Sequence, residues 1–300
     1  MKAQKFFAAT FAIALVVAFT FTACKKDEQE EETTSAEDNS MMERTDHDIT
    51  SMSAQASDMN SSTMSNYRMG DQDMILSLGC ANITHDSVNH ITTINFNGTT
   101  CQDGRVRSGS IIINYSASTN GARFYRDPGF QCSVTSNNYV VDGNAINIIS
   151  KTITNTTAVG FDAAHTDLTW HIVAHVSVTK STGGTIDWNC DRTKELLNTS
   201  DQNVYHGAPQ PISWNLARIG ITGTASGTCA DGEAFTGNVT SQLIRDFGGC
   251  NINGRFPIIQ GTIDFTKGSR PVRHIDFGNG ACDDMATVTC NNHSHTFEMH

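Results

Sequence analysis

The sequence predicts an all-β protein: antiparallel sheets of β-sandwich type, disulfide-braced, forming one elongated domain or two similar sub-domains over residues 76–300. Three observations predict it. From residue 76 the chain is a series of short alternating runs cut by Gly, Asn, Asp, Ser and Thr. The longest runs from Leu168 to Val178, with Trp170, Ile172, Ala174, Val176 and Val178 in one phase and His171, Val173, His175 and Ser177 in the other. That period of two is the strand signature, and abundant Thr and Asn lowers helix propensity further. Finally, eight cysteines fall in this part, an even number that suits a disulfide framework in an exported chain.

Taken in order, the chain opens with Lys2 and Lys5, then a run from Phe6 to Ala23 that is apolar apart from three threonines, and then Cys24. A basic start, a short apolar core and a small residue before a cysteine describe a lipoprotein signal peptide. Residues 1–23 are expected to be removed and Cys24 to carry the lipid (palmitate among its chains). Phe21 stands where such signals usually place Leu. An uncleaved membrane helix fits less well, because 18 residues is at the short end of the roughly 17–25 needed to span. Plain secretion with cleavage near Ala23 is the other alternative.

Residues 25–75 hold 13 acidic and 4 basic residues, a net charge of −9. So acidic and aromatic-poor a stretch has little apolar surface to offset the entropy of ordering. Residues 24–75 are therefore expected to be a lipidated N-terminus and an acidic disordered tether. Residues 76–300, with 18 acidic and 14 basic residues, carry only −4. Without a basic patch, neither nucleic acid nor an electrostatic grip on anionic lipid is expected.

Within the folded part, Ile111–Tyr115 reads as a strand. Gly268-Ser269-Arg270-Pro271 reads as a hairpin turn. Arg192 to Leu197 alone has a helical flavour, and a division near 198–210 would separate two sub-domains. The disulfide candidates are Cys80, Cys101, Cys132, Cys190, Cys229, Cys250, Cys282 and Cys290. Eight cysteines allow roughly a hundred pairings. Cys80–Cys101 and Cys250–Cys282 are the expected two, since each spans two predicted neighbouring strands. Thr100-Cys101-Gln102-Asp103-Gly104 echoes Thr228-Cys229-Ala230-Asp231-Gly232, and Ile94-Asn95-Phe96 with Cys101 echoes Ile275-Asp276-Phe277 with Cys282. The echoes mark either duplicated sandwiches or a repeated hairpin, with Gly supplying positive φ in the turn.

Ile94-Asn95-Phe96 through Ile111, Phe124 to Gly129, Asn138 to Gly143, Thr152 to Asn155 and Ile275 to Asp284 together resemble the uncharacterised cysteine-containing surface lipoproteins of Bacteroidota. Lys26, Asp27 and Glu28 are similar to the export signal that sends such lipoproteins to the outer face of the outer membrane. The resemblance implies a surface lipoprotein of β architecture and brings no catalytic residues with it.

Candidate chemistry is sparse. No G-x-S-x-G elbow or triad spacing supports a serine hydrolase, and 18 acids offer no way to choose a glycosidase pair. His171 and His175 share a strand face and are weak metal candidates, with His165, His293, His295 and His300 elsewhere. Met52, Met59, Met64, Met69 and Met74 offer soft thioethers that suit Cu(I), or simple drift in a disordered segment. Trp188, with polar neighbours, and Trp214, after a Pro-rich turn, are weak ligand-binding candidates, while Trp170 reads as core. The expectation is a non-enzymatic outer-membrane lipoprotein without cofactor, facing the cell exterior. It would be held to the membrane by its lipid and would bind a polysaccharide or an envelope protein. The alternative is a structural or envelope-assembly component with no small ligand.

Overall fold

The computed structural model describes residues 23–59, 76, 79–158, 168–201, 204, 212–252 and 255–299, with side chains of the first helix described from 34 to 57. The first described element is α1 (Ala23–Met59), 37 residues long. Thirteen strands follow: β1 (Ala81–Asp86), β2 (Ile91–Thr100), β3 (Val106–Asn114), β4 (Gln131–Val141), β5 (Asn144–Asn155), β6 (Leu168–Thr179) and β7 (Thr185–Leu196). A single 3-10 turn, Trp214–Leu216, precedes β8 (Arg218–Thr228), β9 (Ala234–Asp246), β10 (Gln260–Lys267), β11 (Arg273–Asn279), β12 (Met285–Cys290) and β13 (His293–Glu298). All pair antiparallel with their sequence neighbours, in the order β1 to β13.

The all-β class and the predicted strands hold: Leu168–Val178 lies within β6, and Gly268–Pro271 turns between β10 and β11. Two expectations are corrected. The described strands form one continuous sheet, and the sandwich of stacked sheets is replaced by a sheet curled around α1. The described strands on either side of 198–210 belong to one sheet, since β7 pairs with β8 from Asp187↔Thr228 to Leu196↔Ile219. Arg192 to Leu196 is strand as well, and Leu197 begins the turn that follows. Its apparent helical character comes from Arg192 and Lys194 occupying inward positions where an apolar residue would normally reveal the alternation.

Curling needs local bends, and bulges supply them. The β3–β4 register shifts at Gly109, whose φ is 80°, and a Cβ there would lie 2.0 Å from the Asn138 carbonyl oxygen. Gly223 (φ 116°) marks the β8–β9 register shift between Ile221 and Thr224, and a Cβ there would lie 2.1 Å from the Asp191 carbonyl oxygen on β7. The echoed sequences are one hairpin used twice. In each, Cys101 or Cys229 donates its N–H to the carbonyl four residues on, and Gly104 or Gly232 (φ 77° and 86°) closes the turn.

The expected disulfides Cys80–Cys101 and Cys250–Cys282 are present, with Cα separations of 5.0 and 5.1 Å. They close 21 and 32 residues, worth about 3–4 kcal/mol each in the chain-entropy picture. Cys132, Cys190, Cys229 and Cys290 are buried and stand outside both bridges, which corrects the eight-cysteine framework. Register explains it. Cys132 faces Ile153, and Cys190 lies between Ala174 and Ala225, so neither has a cysteine neighbour. They serve as small core residues. Burial pushes the Cys132 thiol up to about 12 and Cys229 up to about 11. Alkylation of the unreduced native protein, followed by peptide mapping, is expected to leave Cys132, Cys190 and Cys229 unlabelled. All three should label once the chain is unfolded. Labelling of any of them in the native state would contradict this packing.

The greatest departure from expectation is α1. Residues 34–57, assigned to a disordered tether, form a helix whose side chains are almost all buried. Its only accessible side chains are Thr34, Glu37, Met41, Arg44 and Ser51, a stripe at helical spacing along one side. The sequence is free of Gly and Pro until Gly70, so nothing in it interrupts a helix. Acidity alone suggested disorder, but the cations that neutralise it reside in the strands.

Candidate functional site

Strand alternation sends seven cations inward, Arg107, Lys151, Arg192, Lys194, Arg245, Lys267 and Arg273, and the β3–β4 connection adds Arg126, each at most 6% exposed. A charge buried without a partner is costly, and α1 supplies partners along its length. Asp38 pairs with Lys180 at 2.8 Å and Glu43 with Arg192. Asp46 pairs with Lys151 and, at 3.5 Å, with Lys194. Asp48 takes Arg105 at 3.3 Å and Arg107 at 3.4 Å. Burial raises the Asp46 carboxyl, but Lys151, Lys194 and Arg192 outweigh it and hold it below the usual carboxylate range. Glu43 has the opposite balance: burial prevails over Arg192 and lifts it. Burial lowers the Lys194 ammonium to about 8.

Aromatic rings close the far end of the helix. Tyr125 stacks on Trp170 at 4.6 Å and meets Trp214 edge-on at 5.6 Å, while the Trp170 Nε1–H donates to the Tyr125 carbonyl at 2.8 Å. The Tyr125 N–H donates to Ser57 Oγ at 2.9 Å. Beside them is a cavity of about 40 Å³ lined by His47, Gln55, Lys194, Trp214 and Arg245 among others. That is room for water and not for a sugar. Trp188, fully buried, packs inside the sheet. Neither ligand-binding tryptophan candidate is therefore a surface platform: both are turned inward by strand phase or by the Trp214 turn.

The outer face is polar. Thr179–Thr185, Thr240–Thr262 and Thr287–Thr296 bond across strands at 3.1, 2.8 and 3.0 Å. His171 binds Asp191 and His175 binds Asp187, each at 2.8 Å. Each imidazole thus has its own carboxylate partner, and among the described residues no group of three His, Cys, Asp or Glu could hold a metal. His165 and His300 lie outside the described residues, as do Met64 and Met69, whereas Met52 is buried in the core. A membrane-spanning barrel needs an apolar outer band, the reverse of this threonine-rich surface. Among the described residues, no helix is long and apolar enough to cross a membrane. Cys24, Lys26, Asp27 and Glu28 fall in the first turns of α1, where side chains are outside the described residues, as is the signal before Ala23.

An open cleft among the described residues escaped sequence reasoning. It lies where the accessible stripe of α1 meets both halves of the curled sheet. Its volume is about 410 Å³, and it is lined by Met41 and Arg44 of α1, by Asp103, Gly104, Arg105, Asp142 and Asn144 from the β2–β3 and β4–β5 turns, and by Arg255 from the β9–β10 loop. Asp142 accepts from Arg105 Nε at 2.8 Å, and Arg255 reaches Asp284 at 3.3 Å. Arg44 sits between them and closes no ion pair or hydrogen bond among the described residues. Burial lowers its pKa, Asp48 opposes this, and Arg105 and Arg255 lower it further, so three guanidinium groups crowd one space. No protein-family model, curated protein or solved structure matches the chain.

Proposed function

We propose that this chain is a non-enzymatic envelope lipoprotein, anchored through Cys24 and exposed at the outer membrane, whose sheet domain binds a polysaccharide or a protein partner. The observation that supports it best is the continuity of α1. The helix begins at Ala23, beside the cysteine that the signal would lipidate, and passes into the ion-paired core. Cleavage before Cys24 leaves that core helix whole, so processing and folding are compatible. The alternative, an envelope-assembly component with no small ligand, draws on the burial of all three tryptophans and the hydrogen-bonded polar exterior.

Fractionation with palmitate labelling tests the anchor. Wild-type protein is expected in the membrane fraction with label, and Cys24→Ala in the soluble fraction without it. Membrane retention of an unlabelled Cys24→Ala variant would overturn the lipoprotein reading. Thermal shift of that soluble variant against polysaccharides tests the binding reading. A ligand at about 100 times its dissociation constant adds roughly 2.7 kcal/mol of stability.

A further inference from the structure

We infer that the cleft between Arg44, Arg105 and Arg255 is a binding site for an acidic sugar, a ring bearing one carboxylate and several hydroxyls. The inference rests on the binding-module reading and names its ligand class.

The lining argues for this chemistry. Arg44 feels the charges of Asp48 and Asp284 but closes no ion pair with either, and its planar fork suits a carboxylate bidentately. Arg105 and Arg255 already hold Asp142 and Asp284, so they add positive field without a free fork between them. Asp142 and Asn144 offer an acceptor and an amide to hydroxyl groups around the ring. A multiply charged phosphate would gain from the arginines but meet the carboxylates of Asp103 and Asp142. A singly charged polyol uses both kinds of group. The volume, about 410 Å³, is in the range of roughly 300–1,000 Å³ found for small-ligand sites. Met41 is the one apolar side chain in the lining, which disfavours a hydrophobic anion.

The site also explains a feature of α1. Its accessible stripe is otherwise Thr34, Glu37, Met41 and Ser51, yet at the middle it presents an arginine to a cleft that already contains two. In an acidic helix that arginine has no role in pairing the inward cations.

Isothermal titration of the full-length soluble form, Cys24→Ala, with galacturonate, glucuronate and an oligogalacturonate tests the inference, with galactose and inorganic phosphate as controls. Saturable binding of a uronate is expected, none of galactose, and weakening of about tenfold or more in Arg44→Gln. Arg44→Gln breaks no direct ion pair and should stay folded, with a modest loss of stability from weaker support of Asp48; if it does not fold, Asn144→Ala reads the same site through its hydroxyl contact. Uronate binding unchanged by either substitution overturns the assignment. Equal Arg44-dependent binding of phosphate overturns the sugar class. Binding of a neutral polysaccharide alone removes this cleft but spares the binding-module reading, whereas no binding by any polysaccharide or uronate counts against both.

Discussion

A chain that begins at residue 76 is expected not to fold. Judged by composition, residues 76–300 look like an independent domain, but they lack α1. Without it, Lys151, Arg192 and Lys194 face an interior emptied of their carboxylates, Arg107 keeps only Asp103, and Ile49, Met52 and Met42 are gone from the core. Breaking a buried ion pair by removing one partner costs about 3–5 kcal/mol. Losing Asp46 from Lys151 and Lys194 and Glu43 from Arg192 makes two such losses, about 6–10 kcal/mol before the lost apolar packing is added, against the roughly 5–15 kcal/mol by which domains are stable. Circular dichroism and thermal melting of residues 24–300 and 76–300 provide the comparison. The longer chain should melt cooperatively and the shorter one should not. A cooperative transition in the shorter chain within a few degrees of the longer one would show that α1 is not part of the folded core.

Asp46→Ala is expected to be the most damaging single substitution on the helix. It leaves Lys151 and Lys194 buried without their carboxylate, a loss of about 3–5 kcal/mol. For a domain of this size that lowers Tm by roughly 6–20 °C. Glu37→Ala, an exposed acid on the same helix, should stay within about 0.5 kcal/mol of wild type. A fall of less than about 2 °C for Asp46→Ala would contradict the buried pairing. The pH dependence follows from the same residues. Asp46 and Asp48 are depressed in the folded state, so their contribution is present above the unfolded value of 3.8 and lost as pH falls through the lower folded values. Glu43 is raised, so its contribution is present below 4.5 and fades as pH rises through its folded value. Lys194 is lowered to about 8 from 10.5, so the unfolded chain binds the extra proton and stability rises with pH between those two values. Chemical denaturation at pH 8 and at pH 10 should therefore show less alkaline loss in wild type than in Lys194→Met.

What could be read from the sequence was what depends on neighbours along the chain. The phase of Leu168–Val178, the turn at Gly268–Pro271 and the two disulfides are local patterns. Each survives because a strand alternates and a hairpin brings its ends together. α1 was hidden because its stability is not local. Asp46 looks solvated until Lys151, 105 residues later, is placed opposite it. Arg192 and Lys194 looked helical for the complementary reason: they are core positions filled by charge. Freedom from Gly and Pro as far as residue 69 was the available sign of the helix. The cleft left no such sign, because Arg44, Arg105 and Arg255 come from three distant segments that meet only when the sheet curls. Trp188 and Trp214 show the opposite failure, since polar sequence neighbours do not reveal which way a side chain turns.

With a lipid on Cys24, the helix becomes a mechanical link. Ten residues separate Cys24 from Thr34, where described side chains begin, so the stalk is about 15 Å long at 1.5 Å per residue. A force on the anchor then reaches the interior along the helix axis, with no slack linker to absorb it. Asp38, Glu43, Asp46 and Asp48 grip the wall side by side, so such a pull loads their ion pairs in shear and together. Resistance to extraction is set by the rate at which that ladder opens, a kinetic property distinct from equilibrium stability. A bound polymer tugged from outside would tension the core of the protein that holds it.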